Sequence, residues 1–206
     1  MKRIFSFISC VALIAGCAGS ASVESEVFGT LSTGEVATIW HLENASGASM
    51  DVTDYGCRIV SIHMPDRNGK MGDVVVGYGD LESFEKKDRF LGPVIGRFGN
   101  RIDNASFVLD GVRYDVDANE KFDGEPVQCH GGRMGFDRFL WKGEPVQEPG
   151  KVGVRFHRLS PDGEQGFPGN MNANVTYWLT DANTVILEYE ADTDKPTVVN
   201  LSNHTY

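Results

Sequence analysis

Basic residues never gather into a run in this 206-residue chain, and its formal net charge is −10. A surface that tracks phosphates needs clustered lysine and arginine, so nucleic-acid binding is disfavoured. An acidic surface suits a neutral ligand such as a sugar. Helical periodicity is equally scarce: beyond the N-terminal stretch, no apolar period persists for three turns. Nor is there an apolar run long enough to cross a bilayer as a helix, since residues 4–15 fall short of the ~20 required. Internal repeats and a dividing linker are also missing, so one domain is expected. With 41% hydrophobic and 23% charged residues, that domain has the composition to fold rather than stay disordered.

Cysteine is the next shortage. Of the four, Cys10 and Cys17 fall in the N-terminal segment. Lys2 and Arg3 precede the apolar stretch, and Leu13-Ile14-Ala15-Gly16-Cys17 reads as a bacterial lipobox, which directs cleavage before a cysteine that then carries lipid. The expectation is a signal peptide over residues 1–16, a lipid on Cys17 and a low-complexity tether over residues 17–29. Such a protein would sit at the cell envelope, membrane-anchored through Cys17 on the periplasmic face or at the outer membrane. Cys57 and Cys129 then remain, free to pair in an oxidising compartment or to stay as buried thiols.

What the chain does have is short β-rich runs punctuated by turns, with 24 glycines to make them. Residues 36–42 and 50–53 flank a polar turn, and residues 58–64 close on Pro65-Asp66-Arg67-Asn68-Gly69. Residues 74–76 are all valine and read as another strand. Asp110-Gly111 between residues 107–109 and 112–114 marks a hairpin, because it suits the positive φ angles of a type I′ turn. Residues 152–159 form a further strand, and residues 172–179 and 184–191 pair across a tetrapeptide turn. Only residues 80–87 have the composition of a helix. The fold class is all-β, a large antiparallel β-sandwich over residues 30–206.

Three polar segments interrupt this pattern: Gly96-Arg97-Phe98-Gly99-Asn100-Arg101-Ile102, then His130-Gly131-Gly132 with Gly135-Phe136-Asp137 and Trp141, and finally Asn203-His204-Thr205-Tyr206. In this order and spacing they resemble the aldose 1-epimerase (galactose mutarotase) family, from about residue 30 onward. Residues 160–170, Ser-Pro-Asp-Gly-Glu-Gln-Gly-Phe-Pro-Gly-Asn, add to the likeness. The resemblance implies a galactose mutarotase-like sandwich. It also implies exchange of the α and β anomers of a hexose such as galactose or glucose, by acid/base opening and closing of the ring. That chemistry requires neither a metal nor a cofactor.

Histidine suits the acid role because its pKa lies near neutrality. By resemblance, His204 is the catalytic acid, while Asn100, Arg101, His130 and Tyr206 bind the sugar. Arg97 is either a ligand contact or an internal ion-pair partner. Gly131 and Gly132 would shape a turn that aims His130. Trp141 and Trp178 read as core, and His41, His63 and His157 as surface or packing positions.

The family places its general-base glutamate and a sugar-binding aspartate downstream of the Asn-His-Thr-Tyr segment. The chain is therefore expected to be the front part of a longer one, with the sandwich C-terminally incomplete and inactive alone. Glu188 and Glu190 are not candidates for the base. The alternative reading is a non-catalytic carbohydrate-binding module of the same ancestry.

Overall fold

The computed structural model describes residues 19–87 and 90–206. The expected signal peptide and the lipid site at Cys17 lie outside the described residues. Strands β1 (Ser22–Thr30), β2 (Val36–Glu43), β3 (Ser49–Thr53), β4 (Arg58–Pro65) and β5 (Met71–Asp73) form an antiparallel meander in chain order. Its turns are built by side chains that mimic backbone. Asn44 Oδ1 accepts from the N–H of Ser46 and of Ala48, both at 2.9 Å, and Asp66 Oδ1 does the same for Asn68 and Lys70. β1 starts at Ser22, inside the segment read as a tether. Paired with β2 along its length, residues 22–29 are an edge strand of this sheet.

Helix α1 (Leu81–Lys87) follows, capped by Asp80 Oδ1, which accepts from Ser83 N–H at 2.7 Å. Leu81 and Phe84 cover one end of the sheet's outer face, packing on Ile39, Tyr55 and Val60. Short strands come next: β6 (Val94–Ile95), β7 (Arg101–Ile102), the hairpin β8 (Ser106–Leu109) with β9 (Val112–Asp115), and β10 (Glu120–Phe122) with β11 (Glu125–Cys129). As expected, Asp110 and Gly111 turn the β8–β9 hairpin, with φ of 51° and 78°.

A second antiparallel meander comprises β12 (Lys142–Glu148), β13 (Lys151–Ser160), β14 (Met171–Thr180) and β15 (Val185–Thr193), and β16 (Ser202–Asn203) pairs back with β6. The period-2 alternation predicted from sequence decides which face is inside. Val152, Val154 and Phe156 of β13 and Met171, Ala173, Val175, Tyr177 and Leu179 of β14 are buried in one cluster with Leu42, Met50, Val52 and Ile62 of the first meander. The two sheets therefore pack face to face, as a sandwich does. Each large apolar side chain in that layer contributes about 1.5–3 kcal/mol by leaving water.

Two readings need correction or completion. Residues 74–76 are not a strand. Val74 N–H still donates to the Ile62 carbonyl, but Asp73 Oδ1 accepts from Ile62 N–H and from Val75 N–H in place of a strand partner, and Val76 N–H donates to the Tyr206 carbonyl. Val74 and Val76 end up about 60% exposed. Cys57 and Cys129 are both free and buried. Burial pushes the Cys57 thiol well above its usual range and that of Cys129 up to about 11.

Candidate active site

The β6–β16 pairing sets Ser202 opposite Ile95 and Asn203 opposite Val94. One residue on, His204 N–H donates to the Pro93 carbonyl at 2.9 Å, and Gly92 N–H donates to the His204 carbonyl at 3.1 Å. Asn203 bolts this segment to the core. Its Nδ2 donates to the Gly92 carbonyl at 2.8 Å and to Tyr177 Oη at 3.1 Å, and that buried hydroxyl in turn donates to the Cys57 carbonyl at 2.6 Å. The His204 backbone is thus fixed by the sandwich, while its half-buried ring is left for chemistry.

His130 ends β11, where the β11–β7 register sets Cys129 opposite Arg101. Backbone bonds run both ways here: His130 N–H donates to the Asn100 carbonyl, and Asn100 N–H donates to His130 Nδ1, each at 3.1 Å. Because Nδ1 accepts, the neutral ring carries its proton on Nε2. Gly131 and Gly132 follow with φ of 89° and 95°. A Cβ on Gly131 would stand 1.7 Å from the Gly96 carbonyl oxygen, so only glycine lets these two backbones meet.

The side chains converge. The imidazoles of His130 and His204 have centroids 4.9 Å apart at 87°, and Tyr206 lies 5.0 Å from His204. Arg101 Nη1 donates to Asn100 Oδ1 at 3.3 Å and its Nη2 to Glu120 Oε1 at 2.7 Å. Burial lowers the His130 pKa, and the neighbouring His204 and Arg101 lower it further against the opposing charge of Glu120. The result is a solvent-facing cluster with one imidazole kept neutral, a second beside it, and exposed amide and guanidinium donors at its rim.

All five residues expected at the site, Asn100, Arg101, His130, His204 and Tyr206, are brought together. Arg97 is neither a ligand contact nor mainly an ion-pair partner. Its buried guanidinium donates to Ser160 Oγ and to the carbonyls of Ser160, Pro161, Pro168 and Gly169, at 2.8 or 2.9 Å each. It clamps the segment 160–169 to the motif that carries Asn100 and Arg101. Trp141 and Trp178 are buried, Glu188 accepts from Trp178 Nε1 at 2.8 Å, and Glu190 pairs with Arg155 on the same outer face of β15.

Sequence reasoning missed two members. Phe90 packs 4.8 Å from His130 and 5.9 Å from His204, and Glu120 holds Arg101. Neither stands in a motif; a carboxylate one turn upstream of a histidine strand is too common to single out. Among the described residues, no group of three His, Cys, Asp or Glu side chains is placed to hold a metal ion. A hollow of about 750 Å³ lies over the outer face of β1–β4 and is lined in part by His41, Asp51, Ser61 and His63. Its Asp51 is committed to His41 and Ser61, and its Asp73 and Asp80 to backbone N–H groups.

The sequence profile of the Aldose 1-epimerase family matches residues 38–206. Rat and human galactose mutarotase are 38% and 39% identical to the chain, covering 90% of it and 52% of their own length. Aldose 1-epimerase of Escherichia coli K12 is 35% identical over 80% of the chain and 46% of its own length. In structure, a galactose 1-epimerase of Lactobacillus acidophilus superposes with a TM-score of 0.79 at 25% identity, over 91% of this chain and 53% of that one. The chain spans about half the length of the curated relatives it matches.

Proposed function

Because the chain belongs to the aldose 1-epimerase family, we propose that the protein interconverts the α and β anomers of a hexose such as galactose or glucose. The observation that carries this reading is the pair of perpendicular imidazoles 4.9 Å apart, rimmed by Asn100, Arg101 and Tyr206. Ring opening needs a proton delivered to the ring oxygen as the C1–O5 bond breaks, while a base takes the proton of the C1 hydroxyl and C1=O forms. Closure on the other face of C1 reverses these transfers.

His204 gives the proton. His130, neutral and protonated on Nε2, donates a hydrogen bond to a sugar oxygen without competing for that proton. Two adjacent imidazolium rings would repel, in keeping with the lowered pKa of His130. Asn100 and Arg101 hold hydroxyl pairs, which fixes C1 and the ring oxygen relative to the acid. Glu188 and Glu190 face away on β15 and are engaged there. The resemblance expects the base beyond Tyr206.

The non-catalytic sugar-binding alternative is favoured by one observation. Glu120, the carboxylate bonded within the cluster, is held by Arg101, which makes it a stronger acid and so a poorer base. The deciding experiment is polarimetry on a fresh anomer. His204→Ala is expected to lower kcat by about 10²–10⁴-fold, and a variant with the wild-type rate would overturn the assignment. Location is a second proposal, supported by the lipobox sequence: a lipid on Cys17 holds the protein at the envelope. The native protein should partition into detergent and Cys17→Ala should release it; unmodified protein in the cytoplasm would contradict it.

A further inference from the structure

His130 and His204 are oriented by different means. His130 has a hydrogen bond to its ring, from Asn100 N–H to Nδ1. Among the described residues, the His204 imidazole has ring contacts in place of hydrogen bonds, to His130 at 4.9 Å, Tyr206 at 5.0 Å and Phe90 at 5.9 Å. An acid-base histidine is ordinarily held by a partner on its second nitrogen. Among the described residues, the rings packed around His204 are what bears on its direction.

Phe90 touches both imidazoles. Its ring centre is 4.8 Å from His130 at 60° and 5.9 Å from His204 at 34°, so the three rings close a triangle. Two residues on, Gly92 is bonded through both its N–H and its carbonyl to residues 203 and 204, which ties the Phe90 loop to the segment bearing the acid. Phe90 also has φ of +50°, a left-handed conformation that bulky residues avoid and that persists where surrounding contacts over-determine it. A ring needed only to fill space could sit on a relaxed backbone.

We infer that Phe90 is a positioning residue, whose ring holds the imidazoles of His204 and His130 at right angles in the geometry the proton transfer uses. The inference rests on the reading of His204 as the acid. Phe90 also shields His130 from water, in keeping with the burial that lowers its pKa. Space-filling alone would alter stability and leave the imidazoles' behaviour as it was.

The test is side-chain NMR of the two histidines together with steady-state kinetics on the gene-encoded protein. In the wild type, nuclear Overhauser contacts should run from the Phe90 ring to both imidazoles. Phe90→Leu should raise the His130 titration midpoint toward the ordinary imidazole range and lower kcat by about 10-fold or more, with KM little changed. Phe90→Tyr, which keeps the ring, should restore both. Unchanged titration and kcat in Phe90→Leu would overturn the inference, as would a Phe90→Tyr protein that behaves like the leucine variant. If Phe90→Leu does not fold, Phe90→Met takes its place and is read by the same titration and kcat, with the same outcomes. D-galactose separates this from the functional reading. Should the contacts and the titration shift hold while D-galactose moves neither imidazole signal, positioning stands and the sugar assignment fails.

Discussion

His41 and His130 both lie on or beside a strand and both are partly buried, yet their surroundings push them in opposite directions. Burial alone would lower His41, but Asp51 at 2.7 Å and Glu26 at 3.4 Å outweigh it and raise its pKa. Burial lowers His130 too, and there the neighbours, His204 and Arg101, add to the effect. One histidine sits between carboxylates that favour its protonated form, in a polar row across three strands. The other is kept neutral with its Nε2 proton available for a ligand. A histidine in a groove is therefore weak evidence of chemistry until the charges around it are counted.

The largest effect should come from separating the site from its support. Arg97→Met strips five hydrogen bonds from buried carbonyl and hydroxyl oxygens, and should cost about 3 kcal/mol or more of stability by denaturant unfolding. An unchanged midpoint would mean that water satisfies the 160–169 segment equally well. Arg101→Ala should act on binding, raising KM by about 10-fold or more with kcat nearly intact if the guanidinium grips ground and transition states alike. A fall in kcat with unchanged KM would give Arg101 a role in the reaction itself.

The smallest effect sharpens the comparison most. The raised His41 pKa means stability that is fully present below the unfolded imidazole value of about 6.5 and is lost as pH rises through the folded value. The lowered His130 pKa has the opposite sign: the native state loses stability as pH falls from that unfolded value toward the folded one. His41→Gln should therefore destabilise most near pH 5 and least near pH 8, while His130→Gln should compare better with wild type near pH 5 than near pH 8. Solvent screening limits the His41 effect to about 0.2–1 kcal/mol, so melts across the pH range are needed. Parallel pH slopes for the two variants would break the contrast.

The two regions also differ in how much of them could be read from the residues. The β8–β9 hairpin and the β14–β15 pair announce themselves through Asp110-Gly111 and long period-2 alternation. The histidine motifs were legible as words, and the structure brings them together as a cluster. Hidden were the two-residue strands β6, β7 and β16 that assemble them, because two residues hold no period and their pairing is decided by tertiary contacts. Residues 74–76 misled for a related reason: valine favours strands, but the Asp73 carboxylate removes the register partner. Arg97 and Phe90 could not be placed, since an arginine's carbonyl cage and a ring's two neighbours lie more than 30 residues away in the chain.

The proposed reaction turns on proton delivery by His204 beside a neutral His130. Exchange NMR on D-galactose at anomeric equilibrium reads that step directly, through transfer between the α and β H1 signals. With the gene-encoded protein, exchange should exceed the buffer background and fall by about 10²–10⁴-fold in His204→Ala. Exchange at background in the wild type, or at the wild-type rate in the variant, would contradict it.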